Sequence, residues 1–207
     1  MTIKTFKSET AWIRAVIDFI KSKNPRTIAL SGGNTPAPIY KALEKSLKLN
    51  KITTPKFFQV DERYVPKNHP DSNFKMIKQT LKPKTFHHFD ISLTIKEALK
   101  KYDTELKTFD LCILGIGEDG HTASLFPNST ALNSSAKTAH TTTKNFPIKD
   151  RLTITFSTIL KSKNILILLK NKAEILRELK SPRKAASQFP ALKLLKHKNL
   201  HVFALQN

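Results

Sequence analysis

Apolar, strand-like runs alternate with helix-like stretches along the whole chain, and this alternation restricts the fold more than any other feature. It argues for a parallel α/β layer architecture. Strands are expected over residues 27–30, 57–60, 110–114, 152–156, 164–169 and 200–204. The first helix is expected over residues 9–21, where Trp12, Val16, Phe19 and Ile20 form a stripe at 3.6-residue spacing. Further helices are expected over residues 37–47, 73–80, 95–107, 172–179 and 191–195. The resulting picture is an open, mainly parallel sheet with helices on both faces. No internal repeat, low-complexity segment or linker divides the 207 residues, so one domain spanning 1–207 is expected. A domain of this size buries roughly 70% of its unfolded-chain surface.

Composition removes several function classes. The net charge of +20 suggests nucleic acid, but the pattern does not. Only six of the 36 basic residues are arginine, and they are spread in ones and twos without a dense block or interleaved aromatics. Base readout and single-strand stacking need those features. A lysine-rich surface would still attract a small anion through its overall field. No run of 18 apolar residues occurs, and the N-terminal segment lacks a signal-peptide pattern. The single cysteine, Cys112, excludes an internal disulfide framework, so a cytoplasmic protein is expected.

Three expected strands end in chemically loaded turns, and in open parallel sheets ligands bind beyond the carboxyl ends of the strands. The first turn is Ser31-Gly32-Gly33-Asn34-Thr35-Pro36. Its glycines let amides approach an anion, Ser31 and Thr35 add hydroxyls, and the following helix start favours phosphate. The same residues also suit an ordinary βα turn with Thr35 as N-cap. No Walker Gly-Lys-Ser/Thr follows. The second turn is Asp61-Glu62-Arg63, followed at a distance by Ser72-Asn73. It could orient a sugar hydroxyl or stabilise an oxyanion, or it could be a surface ion pair worth about 0–1 kcal/mol.

The third turn, Gly115-Ile116-Gly117-Glu118-Asp119-Gly120-His121, holds three of the five glycines. It formally fits the dinucleotide pattern G-x-G-x-x-G. Its two carboxylates would repel a pyrophosphate, however, and no acid lies between Asp119 and Asp150 to bind a ribose. His121 is the leading general acid–base candidate, since an imidazole titrates near working pH. No Gly-x-Ser-x-Gly elbow occurs. His87, His88 and Asp90 lack a standard metal spacing and read as surface residues.

These three turns, with Ser72-Asn73, the continuation Thr122-Ala123-Ser124-Leu125-Phe126-Pro127 and the block Arg151-Leu152-Thr153-Ile154-Thr155-Phe156, resemble the 6-phosphogluconolactonase family. The glucosamine-6-phosphate deaminases share part of the pattern and the fold. Arg63 and the residues after His121 favour the lactonase side of that relationship.

The resemblance implies a carboxylic ester hydrolase that opens 6-phospho-D-glucono-1,5-lactone to 6-phosphogluconate in the oxidative pentose phosphate pathway, with no metal or organic cofactor. It implies His121 as the base that activates water, with Asp119, Glu118 or Asp61 orienting it. Arg63 or a backbone amide would stabilise the oxyanion. The substrate would contact Ser31, Gly32, Gly33, Asn34, Thr35, Asn73 and Gly117, with Lys172 and Arg151 assisting at the phosphate. The expected partner is a small phosphosugar lactone, with no nucleic acid or membrane, in a monomer or weak homodimer. The alternatives are a sugar-phosphate deaminase or isomerase of the same fold, or a basic nucleic-acid-binding protein.

Overall fold

The computed structural model describes residues 1–49 and 53–206. A seven-stranded, all-parallel sheet forms the centre. In chain order its strands are β1 (Thr2–Phe6), β2 (Thr27–Leu30) and β3 (Lys56–Gln59), followed after a break by β5 (Phe86–His87), β6 (Leu111–Leu114), β9 (Asn164–Lys170) and β10 (Leu200–Leu205). The spatial order is β1-β10-β9-β6-β2-β3-β5. The strands β4 (Asp61–Arg63), β7 (Thr138–Thr142) and β8 (Asp150–Ile154) form a separate antiparallel sheet in the order β4-β8-β7. The helices are α1 (Glu9–Lys23), α2 (Ala37–Lys48), α3 (Asn73–Thr80), α4 (Ile95–Glu105), the single turn α5 (Phe156–Ile159) and α6 (Ala173–Lys180).

The central strands β2, β6 and β9 are apolar except for Thr27, Asn164 and Lys170 at their ends, because both sheet faces are covered. Successive side chains point to opposite faces. On β6, Leu111 and Ile113 join one core with Trp12 and Val16 of α1 and with Ile39 and Leu43 of α2. Cys112 and Leu114 join the other, with Tyr102 of α4 and Ile175 and Leu179 of α6. The open sheet with helices on both faces thus follows the expectation.

The structure departs from five of these expectations. β1, β4, β5 and β7 were not expected; they are edge strands, polar or only two residues long. The strand expected over 152–156 belongs to the antiparallel sheet and ends at Ile154, two residues before α5 begins at Phe156. The helix expected over 191–195 is a 3-10 segment, Pro190–Lys196. Thr35 does not cap α2; Pro36 occupies that position without a side-chain bond. His87 and His88 are half-buried rather than superficial: His87 stacks on Phe58 at 4.6 Å and bonds Glu105 at 2.7 Å.

Chain direction locates the crevice. From β2 the chain passes through α2 to β3 on one side, whereas from β6 it reaches β9 on the other. The C-terminal ends of β2 and β6 therefore flank the point where the winding reverses, the usual ligand position in open α/β sheets. No helix of the described residues is long and apolar enough to cross a membrane.

Candidate active site

The turns after β2 and β6 open into one crevice with two lobes. The first, a cavity of about 190 Å³, is lined by Ser31, Gly32, Gly33, Asn34 and Thr35, together with Asn73 and Gly117. The second, of about 470 Å³, is lined by Glu118, Asp119, Phe126, Phe146, Arg151 and Lys172. Asp61, Arg63, Gly117, His121 and Ala123 line both.

In the first lobe, the consecutive amides of Gly32, Gly33, Asn34 and Thr35 donate to no described residue. They precede α2, whose first turn carries no acid. Ser31 Oγ is buried and likewise has no partner. A run of free amides at the positive end of a helix suits a phosphate. Gly32 is required by its neighbour, since a Cβ there would overlap the side-chain amide of Asn73.

Asn73 is held from several sides. Its Nδ2 donates to the Asp61 carbonyl at 2.8 Å, and its Oδ1 accepts from Arg63 Nη1. Beneath it, the Glu62 carboxylate is 1% exposed. It accepts from the amides of Arg63, Asn73 and Phe74 at 2.7–2.8 Å, from Gln59 Nε2 at 2.8 Å and from Ser72 Oγ at 3.2 Å. Burial raises the Glu62 carboxyl above its ordinary value against these donors. Glu62 therefore clamps the N-terminus of α3 to β4, a satisfied buried acid at a helix start and not a surface ion pair.

The His121 ring is fixed by its own turn. Nδ1 lies 2.5 Å from Asp119 Oδ1, which also accepts the His121 amide at 3.1 Å. Burial raises the Asp119 carboxyl, but its bonds to His121 outweigh this and hold it below its ordinary value. Gly117 lies against the ring so closely that a Cβ there would collide with it. Phe126 and Phe146 wall the ring at 4.9 and 5.8 Å between centroids.

The other two carboxylates are engaged elsewhere. Glu118 pairs with Lys172 at 3.1 Å, and that lysine also donates to the Ile116 carbonyl at 2.6 Å. Asp61 accepts from Ser124 Oγ at 2.7 Å, a bond that ties β4 to the segment after His121. Of the three carboxylates expected as alternatives beside the imidazole, Asp119 is the one bonded to it. Lys172 and Arg151 line the second lobe and not the one beside Ser31. Sequence reasoning did not anticipate the Glu62 clamp, the Ser124 tie or the aromatic wall. Three of the five donors of Glu62 lie ten to twelve residues further along, and Phe146 has no periodic partner, so no spacing signalled them.

The family model described as glucosamine-6-phosphate isomerases/6-phosphogluconolactonase matches residues 7–203. The chain belongs to this family. A Dictyostelium discoideum protein named "Probable 6-phosphogluconolactonase" is 36% identical over 209 residues, covering 91% of this chain and 87% of that protein. A crystal structure of 6-phosphogluconolactonase from Thermotoga maritima matches with a TM-score of 0.85 at 29% identity, covering 100% of this chain and 99% of that one. A monomeric glucosamine-6-phosphate deaminase shares the family fold, with a TM-score of 0.82 at 24% identity over 99% of this chain and 97% of that one.

Proposed function

We propose that this protein hydrolyses 6-phospho-D-glucono-1,5-lactone to 6-phospho-D-gluconate, the second step of the oxidative pentose phosphate pathway, without a metal and with His121 as general base. The observation that carries the reading is the shared lobe: the free amides after β2 and the Asp119-bonded imidazole after β6 line one cavity. Relatives named as lactonases supply the reaction class.

In this reading the substrate phosphate sits on the amides of residues 32–35, and C1 of the sugar lies at His121. With Nδ1 bonded to Asp119, Nε2 is the nitrogen left to take a proton. Water attacks C1 and passes its proton to Nε2, while the carbonyl electrons move onto the exocyclic oxygen. Arg63 or a backbone amide stabilises that oxyanion, worth about 3–4 kcal/mol per donor. The bond from C1 to the ring oxygen then breaks, and His121 returns the proton to that oxygen. The new carboxylic acid ionises. Asp119 keeps the imidazole oriented and stabilises its charged form. The phosphate contacts hold C1 in place throughout.

The test is turnover of freshly generated lactone, corrected for spontaneous ring opening. Acceleration well above the spontaneous rate is expected. A rate equal to the uncatalysed one sinks the proposal, and ammonia release from glucosamine 6-phosphate would transfer the site to deaminase chemistry.

A further inference from the structure

The second lobe contains a charge that the lactone does not explain. Arg63 and Arg151 stand directly opposite each other on the antiparallel strands β4 and β8. Like charges in that position destabilise a sheet. Arg151 is only 6% exposed, and its Nε is buried without a hydrogen-bond partner. Asp61, Glu62 and Asp71 attract it through space, and none of them bonds it. Asp61 and Glu62 are committed instead to Ser124, Gln59 and the start of α3. A buried guanidinium left this way is costly unless an anion completes it.

The position of Arg151 identifies that anion. The Phe146 ring lies 5.8 Å from the Arg151 Cζ and 5.8 Å from the His121 ring, so guanidinium and imidazole share one aromatic wall. Arg151 does not line the lobe that holds the free amides. The substrate lactone carries one anion, its phosphate, which those amides already serve. The product carries a second, the carboxylate formed at C1 beside His121.

We propose that the Arg151 lobe is a carboxylate subsite, which receives C1 of the product after ring opening and so selects open-chain sugar-acid phosphates and sets product inhibition. This rests on the reading that the phosphate occupies the Ser31 side and C1 lies at His121. A planar guanidinium fits a carboxylate with two parallel hydrogen bonds, the geometry that favours arginine over lysine.

Calorimetric titration with 6-phosphogluconate and with glucitol 6-phosphate tests it, because the two ligands differ only at C1, carboxylate against hydroxymethyl. The wild-type protein should prefer the acid by roughly ten- to a hundredfold. Arg151→Gln should remove most of that preference while binding glucitol 6-phosphate as the wild type does. An undiminished preference in Arg151→Gln, or equal weakening of both ligands in a variant that melts like the wild type, overturns the proposal. Arg151→Lys keeps the charge and carries the test should the Gln variant not fold. Its preference should be reduced but not abolished, and an unchanged value contradicts the subsite. Failure of the underlying reading looks different: either neither ligand binds the wild-type protein, or both bind it equally well.

Discussion

The crevice is built from two sheets that handle polar chemistry in opposite ways. The parallel sheet contributes β2 and β6, whose strand residues are buried and apolar except for the half-buried Thr27, and presents backbone amides at its strand ends. The antiparallel sheet contributes β4 and β8, which carry Asp61, Glu62, Arg63 and Arg151 within the strands themselves, three of them almost fully buried. Amides at the end of a packed strand are neutral donors fixed by the fold. Buried charges must be satisfied one by one, as Glu62 is by five donors. Under the proposed function the difference becomes a division of labour: the parallel side would hold the phosphate, and the antiparallel side would answer charge that appears at C1 during reaction. His121 stands where the two meet.

Substitutions on each side should separate these roles. The largest effect is expected at the junction. His121→Ala should lower kcat by about 10²–10⁴-fold, with only the small loss in melting temperature that follows from removing its bond to Asp119. A near-normal rate would remove the imidazole from the chemistry. On the antiparallel side, Arg63→Ala should lower kcat by about 10²–10³-fold, the usual cost of one oxyanion donor, with a smaller change in KM. On the parallel side, Ser31→Ala should raise KM by about tenfold, one hydrogen bond to a charged group, and leave kcat nearly intact. Steady-state kinetics of the two variants side by side would break the comparison if the KM and kcat effects were exchanged.

The smallest effect concerns pH. The folded-state pKa of Asp119 is depressed through its bond to His121. Its ionised form therefore contributes stability above the unfolded carboxylate value of about 3.9, and this is lost as pH falls through the lower folded value. Melting curves should show the wild type more stable than Asp119→Asn near neutrality, with the gap closing in acid. A gap that widens below pH 4 would contradict the bond as the cause.

The two sheets also differ in how far the sequence exposes them. β2, β3, β6, β9 and β10 are nearly continuous apolar runs, because a parallel strand covered on both faces has no polar side to show. The glycine-bearing ends of β2 and β6 mark the crevice in the sequence. β4 escaped notice because its three residues are all charged, and a charged tripeptide reads as a turn. β7, with Thr138, His140 and two further threonines, shows no apolar alternation. The residues that join the sheets were equally silent. Ser124 meets Asp61 across 63 positions of sequence, and Glu62 gathers amides that only the folded chain brings to it. Local pattern reports strands that bury apolar surface; it does not report charges whose partners are assembled by tertiary structure.

The account stands on a single phosphosugar bridging the amides after β2 and the imidazole after β6. A crystal structure of the protein with 6-phosphogluconate tests this most directly. Phosphate oxygens within hydrogen-bonding distance of the amides of Gly32, Gly33, Asn34 and Thr35, with C1 beside His121 and its carboxylate toward Arg151, is the predicted result. A phosphate bound at Arg151 and Lys172, with C1 directed away from His121, would contradict it.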